Sequence, residues 1–133
     1  RLNLHEVELG TLLIAESIKN FSKNYPGSVC TVYIPSPSLI YKINNFIPRI
    51  YYIKGDDNFR VTSKQHEARS LMIRKRFASL LDKSGVDFID STSYLIKLGE
   101  QEIIHGENDY NHFSAHGYKY LANWLFSNYK KCF

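Results

Sequence analysis

The run VCTVYI, from Val29 to Ile34, constrains this chain more than any other stretch. It is apolar apart from Thr31, rich in strand-forming residues, and bounded by Pro26-Gly27 before it and Pro35-Ser36-Pro37 after it. A strand with one wet face alternates polar and apolar residues, so an unbroken run predicts a central parallel strand buried on both faces, with helices on each side. The PSPSLIYKI that follows then lies at the strand's C-terminal end, where open α/β sheets place their ligand crevices.

Helical periods surround this strand. Leu4, Val7, Thr11, Ile14, Ile18 and Phe21 fall on one stripe at spacings of three and four, which predicts a helix from Leu4 to Phe21, stopped by NYPGS at Asn24 to Ser28. A second helix is predicted from Thr62 to Leu81, opened by a capping box of Thr62 and Gln65 and buried through Ala68, Leu71, Met72, Ala78 and Leu81. Gly85 stops it, and a short strand follows from Val86 to Ile89. Ser93 to Leu98 reads as one or two helical turns. The polar stretch from Gly106 reads as a loop, and the last helix starts at Ser114 as N-cap, burying Tyr118, Leu121, Ala122, Leu125 and Tyr129. Between Asn44 and Arg60 the pattern fits either a short strand and turn or an irregular excursion.

Helix and strand alternate without repeats or low-complexity segments, which argues an α/β sandwich with a mainly parallel sheet. Two strands are too few for such a sheet, so the missing ones are expected upstream of Arg1. An opening Arg in place of Met reads the same way, as a segment within a longer protein whose leader or anchor lies out of view. At 133 residues, 44% hydrophobic and 14% aromatic, the segment has the apolar surface for one core. Its longest apolar run near the start, Leu12 to Ala15, falls far short of the roughly 20 residues of a membrane-spanning helix. The 17 Lys and Arg against 13 Asp and Glu make a mild positive charge. Cys30 and Cys132 form neither a disulfide framework nor a zinc pattern and read as incidental, leaving the compartment open.

The chemistry concentrates at Asp109 and His112, three residues apart and directly before a helix N-terminus. At that spacing the carboxylate can accept from Nδ1 of the imidazole, fixing its tautomer and leaving Nε2 to take a proton from a serine hydroxyl. The run from Asp109 to Ala122, DYNHFSAHGYKYLA, resembles the last conserved block of the SGNH (GDSL-type) hydrolases. VYIPSPSLIY at Val32 to Tyr41 and VDFIDSTSYL at Val86 to Leu95 resemble the strand and turn segments before it.

The resemblance implies that residues 1–133 are the C-terminal segment of one SGNH-like, flavodoxin-like domain, a three-layer α/β/α sandwich with a mainly parallel sheet. It implies a serine esterase or acyltransferase acting on an O-acyl or O-acetyl ester, either a small molecule or an O-acylated glycan. His112 would be the general base and Asp109 its orienting partner. The family's nucleophile stands in a Gly-Asp-Ser turn, and its oxyanion donors are a Gly and an Asn of later blocks. This chain contains no Gly-Asp-Ser, and Gly106-Glu-Asn-Asp109 spells a Gly-x-Asn-Asp pattern at the wrong end. The serine is therefore expected from an upstream part of the same protein, with no cofactor or metal. The alternative is a non-catalytic binding or assembly module of the same fold.

Other residues read more simply. Ser114 is a helix cap rather than a nucleophile. His105, Glu107, Asp109 and His112 match no structural metal spacing. His5, His66 and His116 read as surface residues near helix starts. Arg74-Lys75-Arg76, with Arg60, Lys64 and Arg69, reads as a solvated helix face, since no nucleic-acid motif accompanies it.

Overall fold

The computed structural model describes residues 4–43, 62–107 and 109–132, and the reading of Asn44 to Arg60 lies outside them. The chain is mixed α/β. Helix α1 (Leu4–Asn24) leads to β1 (Cys30–Tyr33) and the one-turn α2 (Pro37–Ile40). Helix α3 (Ser63–Asp82) crosses to β2 (Asp87–Asp90), and α4 (Thr92–Gly99) follows. A hairpin of β3 (His105–Gly106) and β4 (Asp109–Phe113) precedes α5 (Ala115–Asn128) and a closing 3-10 turn, Lys130–Cys132.

Local chemistry sets the ends of these elements. Thr62 Oγ1 accepts from the Gln65 amide at 3.2 Å while Gln65 Oε1 accepts from the Thr62 amide at 3.0 Å, so the expected capping box forms. Gly85 takes φ +69°, a left-handed turn that a glycine adopts without steric cost, and so ends α3. Ser114 accepts from the Gly117 amide at 3.1 Å and caps α5 as expected.

β1 and β2 pair in parallel, Cys30 opposite Asp87 and Tyr33 opposite Asp90, with α3 as the crossover. The expected two-sided burial of β1 is not observed. All four of its residues are half-buried and Ile34 is exposed, because among the described residues β1 has one neighbouring strand. The helix periods hold, and Thr11, Leu81 and Leu121 are buried as expected, but other positions of each expected stripe are exposed. On α1 the buried positions are Thr11 and Ala15, with Val7 and Ile18 half-buried, whereas Ile14 and Phe21 are exposed. On α3 Ser70 and Leu81 are buried while Ala68 and Leu71 are exposed. Ser70 faces β1, where its hydroxyl meets the Tyr33 hydroxyl at 3.0 Å. On α5 Gly117 and Leu121 are buried and Tyr118 and Ala122 are exposed.

Two apolar clusters result. Ala15, Leu81 and Val86 pack with Phe77, Leu80 and Phe88 between α1, α3 and β2. Ile40, Leu95, Leu98, Ile104, Phe113 and Leu121 join α2, α4, the hairpin and α5. No helix among the described residues is long and apolar enough to cross a membrane.

The cysteines are not incidental: Cys30 and Cys132 form a disulfide across 102 residues, with Cα atoms 5.8 Å apart. It ties the closing 3-10 turn to the first residue of β1. A pairing so distant in sequence is a product of tertiary placement, which no local spacing announces. Because the bond closes a long loop in the unfolded chain, Cys132→Ser should lower stability by about 2–5 kcal/mol in urea melts. A non-reducing peptide map should recover the peptides of Cys30 and Cys132 as one linked species.

Candidate active site

Asp109 and His112 lie on β4, not in a loop. In a flat strand, residues three apart point to opposite faces. Here the β3–β4 register is irregular between His105 and Gly106, and Asp109 Oδ1 accepts from the Asn111 amide at 3.1 Å, curling the backbone. Asp109 Oδ2 therefore reaches His112 Nδ1 at 2.5 Å. Both side chains are exposed, at 54% and 71%, and His112 Nε2 has no hydrogen-bond partner among the described residues. The His112 bond, helped by the Asn111 amide, holds the Asp109 carboxyl below its ordinary range. With Nδ1–H donating to the carboxylate, Nε2 carries the lone pair and faces outward, the tautomer a general base needs.

The hairpin is held from behind. Phe113, next to His112, points inward and meets His105 at 4.7 Å between ring centroids and Tyr118 at 5.4 Å. Ile104 is fully buried, and its carbonyl accepts from the Ser114 amide at 2.9 Å and the Ser114 hydroxyl at 3.2 Å. Its amide donates to Tyr41 Oη at 3.0 Å, and the Tyr41 hydroxyl lies 2.8 Å from His105 Nδ1. His105 is thus an interior residue at 4% exposure, and burial holds its imidazole below the usual range.

The metal reading of His105, Glu107, Asp109 and His112 finds no support. Among the described residues the group with metal-ligating atoms in mutual reach is Cys30, Asp87 and Cys132, whose sulfurs are bonded to each other. Arg74 is not a solvated cation either. It pairs with Asp90 at 2.5 Å, with its side chain 13% exposed. Partial burial pushes the Asp90 carboxyl up, but bonds from Thr92 and Arg74 outweigh it and hold it below its ordinary value. Lys64, Arg69, Lys75 and Arg76 are exposed, as expected, and Arg60 lies outside the described residues. A groove of about 560 Å³ runs between α1 and α3, lined in part by Val7, Thr11, Leu71, Met72, Lys75 and Arg76, and neither Asp109 nor His112 lines it.

His66, which reads as a surface residue, is half-buried. Its Nε2 lies 2.7 Å from Ser36 Oγ and 3.2 Å from Ser38 Oγ, and the two hydroxyls are 2.9 Å apart. Burial, with Arg69 adding, holds the His66 imidazole below its ordinary range. The signal for this cluster was in the Pro-Ser-Pro-Ser turn at the end of β1, but nothing local links it to a histidine 30 residues on.

Two predictions follow from these placements. An added Cβ on Gly117 would stand 2.1 Å from the Ile104 carbonyl oxygen and 3.0 Å from Phe113 Cβ, both on the hairpin's buried side. Gly117→Ala should therefore cost about 1–3 kcal/mol or more in urea melts, by overpacking that drives α5 off the hairpin. The second concerns acid. His66 and His105 both bind protons more weakly folded than unfolded, so the unfolded chain takes up more protons as pH falls below about 6.5. Urea midpoints should be insensitive to these groups above that pH and fall below it, through the lowered folded values, with a smaller loss in His66→Gln.

No protein-family model, no curated protein and no solved structure matches this chain.

Proposed function

We propose that this chain carries the base and its orienting carboxylate of an SGNH-type serine esterase or acyltransferase. The observation that carries the reading is the 2.5 Å bond from His112 Nδ1 to Asp109 Oδ2, with Nε2 outward on an exposed strand. In the proposed reaction His112 takes the proton of a serine hydroxyl as that oxygen attacks an O-acyl carbonyl, then returns it to the leaving alcohol. Asp109 holds the imidazole's tautomer and stabilises the imidazolium. The nucleophilic serine and the oxyanion donors belong to an upstream part of the same protein. The substrate is an acyl-ester small molecule or an O-acylated glycan.

In the finer fold proposed with this activity, β1 and β2 belong to a larger parallel sheet inside a three-layer sandwich. The parallel β1–α3–β2 crossover supports it, as do apolar side chains left open on α1, Leu9 at 50% and Leu13 at 61% exposure. The absence of Gly-Asp-Ser from the chain favours a second reading, a binding or assembly module that keeps the fold without a working triad.

In the protein carrying the upstream serine, His112→Ala should abolish ester turnover while leaving the melting temperature nearly unchanged, because an exposed imidazole contributes little packing. Asp109→Asn should slow turnover by about 10²–10⁴-fold without eliminating it, since the base remains but its tautomer and charge partner do not. Leu121→Ala should do the reverse, costing about 2–5 kcal/mol of stability through a core cavity. Residues 1–133 alone should show no His112-dependent hydrolysis of p-nitrophenyl acetate. Full turnover in a folded His112→Ala protein would overturn the role given to His112, and no ester turnover in the unaltered protein would leave the binding-module reading in place.

A further inference from the structure

Ser36, the N-cap of α2, and His66, in the first turn of α3, meet beyond the end of β1. Ser36 lies between Pro35, which is fully buried, and Pro37, the first residue of α2. The next turn is anchored by Leu39 and Ile40, both buried. Prolines on either side leave the backbone at Ser36 little freedom. His66 stands in the first turn of α3, whose start is fixed by the Thr62–Gln65 capping box.

The Ser36 hydroxyl is also diverted from its usual task. A serine at a helix N-cap normally accepts from a backbone amide in the first turn, worth about 1 kcal/mol. Ser36 is the N-cap of α2 and makes no such bond. Its Oγ lies instead 2.7 Å from His66 Nε2 and 2.9 Å from Ser38 Oγ. With the imidazole proton on Nδ1, Nε2 accepts from Ser36, and Ser36 accepts from Ser38. That chain satisfies every hydroxyl proton and points the Ser36 proton at an acceptor able to remove it. All three side chains are half-buried, screened enough to strengthen the bond yet within reach of a small reagent.

We infer that Ser36 and His66 form a second nucleophilic site, a serine activated by an imidazole that accepts an acyl group from an activated ester. As Ser36 Oγ bonds to the acyl carbon, its proton moves to His66 Nε2. The bond from that carbon to the leaving oxygen then breaks, and the imidazolium protonates the alkoxide. The products are Ser36 O-acyl and one alcohol, with no other reactant. This site uses neither His112 nor Asp109 and stands independently of the role proposed for them.

The test is covalent labelling of the 133-residue chain with a fluorophosphonate, and separately with p-nitrophenyl acetate, followed by peptide mass mapping. The expected result is one adduct per chain, on Ser36, in the wild type and in His112→Ala alike. Ser36→Ala should lose it, and His66→Gln should slow its formation about 10²-fold or more, the usual contribution of a positioned base. Melting curves of both variants establish that they fold, and the wild-type map locates the adduct without either. No adduct on the wild type would overturn the proposal, as would an adduct on another serine. An adduct on Ser36 that forms as fast in folded His66→Gln, or that requires His112, would overturn it equally.

Discussion

The backbone of Ile104 carries the architecture around the candidate site. Its carbonyl takes both the amide and the hydroxyl of Ser114, with Gly117 pressed against it, and its amide is held by the Tyr41 hydroxyl. One buried residue thereby joins the end of α2, the start of the hairpin and the first turn of α5. Leaving such a group unpaired in an apolar interior would cost about 1–3 kcal/mol, so these partners are obligatory rather than decorative. They also explain why the turn of α5 that meets Ile104 begins with a serine and contains a glycine. The serine supplies two donors to one oxygen, and no larger residue than glycine fits beneath that oxygen.

The consequence for chemistry is that β4 is fixed on one side only. Phe113 and Ile104 are sunk in the core, while Asp109 and His112 extend into solvent on a strand whose irregularity brings them together. Exposure weakens the electrostatics of such a pair, because water screens the attraction between imidazolium and carboxylate. The short bond therefore orients the ring more than it stabilises the fold. Ser36 and His66 are the opposite case. Half-buried against α2 and α3, they meet in a medium where desolvation already favours the neutral imidazole, the form that can accept a proton. The same two residue types would behave differently on the hairpin surface.

The two halves of the molecule are tied by different means. α1, α3 and β2 share an apolar cluster built on Ala15, Leu81 and Val86, whereas α2, α4, the hairpin and α5 share one built on Ile40, Leu95 and Ile104. The Cys30–Cys132 bond crosses between them, from β1 to the turn beyond α5. Polar groups cross as well: Ser91, just before α4, donates through its hydroxyl to the Tyr33 carbonyl at 2.5 Å, at the end of β1.

Features with a short period were legible in the sequence. The Thr62–Gln65 capping box, the Ser114 cap, the Gly85 stop and the Asp109–His112 bond all join residues three apart or sit at a single backbone turn, so residue type and spacing suffice. The buried face of each helix was legible only in part: Thr11, Leu81 and Leu121 are buried as expected, whereas Ile14, Phe21, Leu71 and Tyr118 are exposed although the less apolar Ser70 and Gly117 are covered. Which of them is covered depends on where the partner helix or strand lies. The hairpin was hidden as well, since an Asx bond and a register slip imitate a loop in a polar stretch. The Cys30–Cys132 bond and the Ser36–His66 contact join residues 102 and 30 apart. Only the path of the chain through α3 and α5 brings such partners within bonding distance, and that path is set by the packing of whole elements, not by any local pattern.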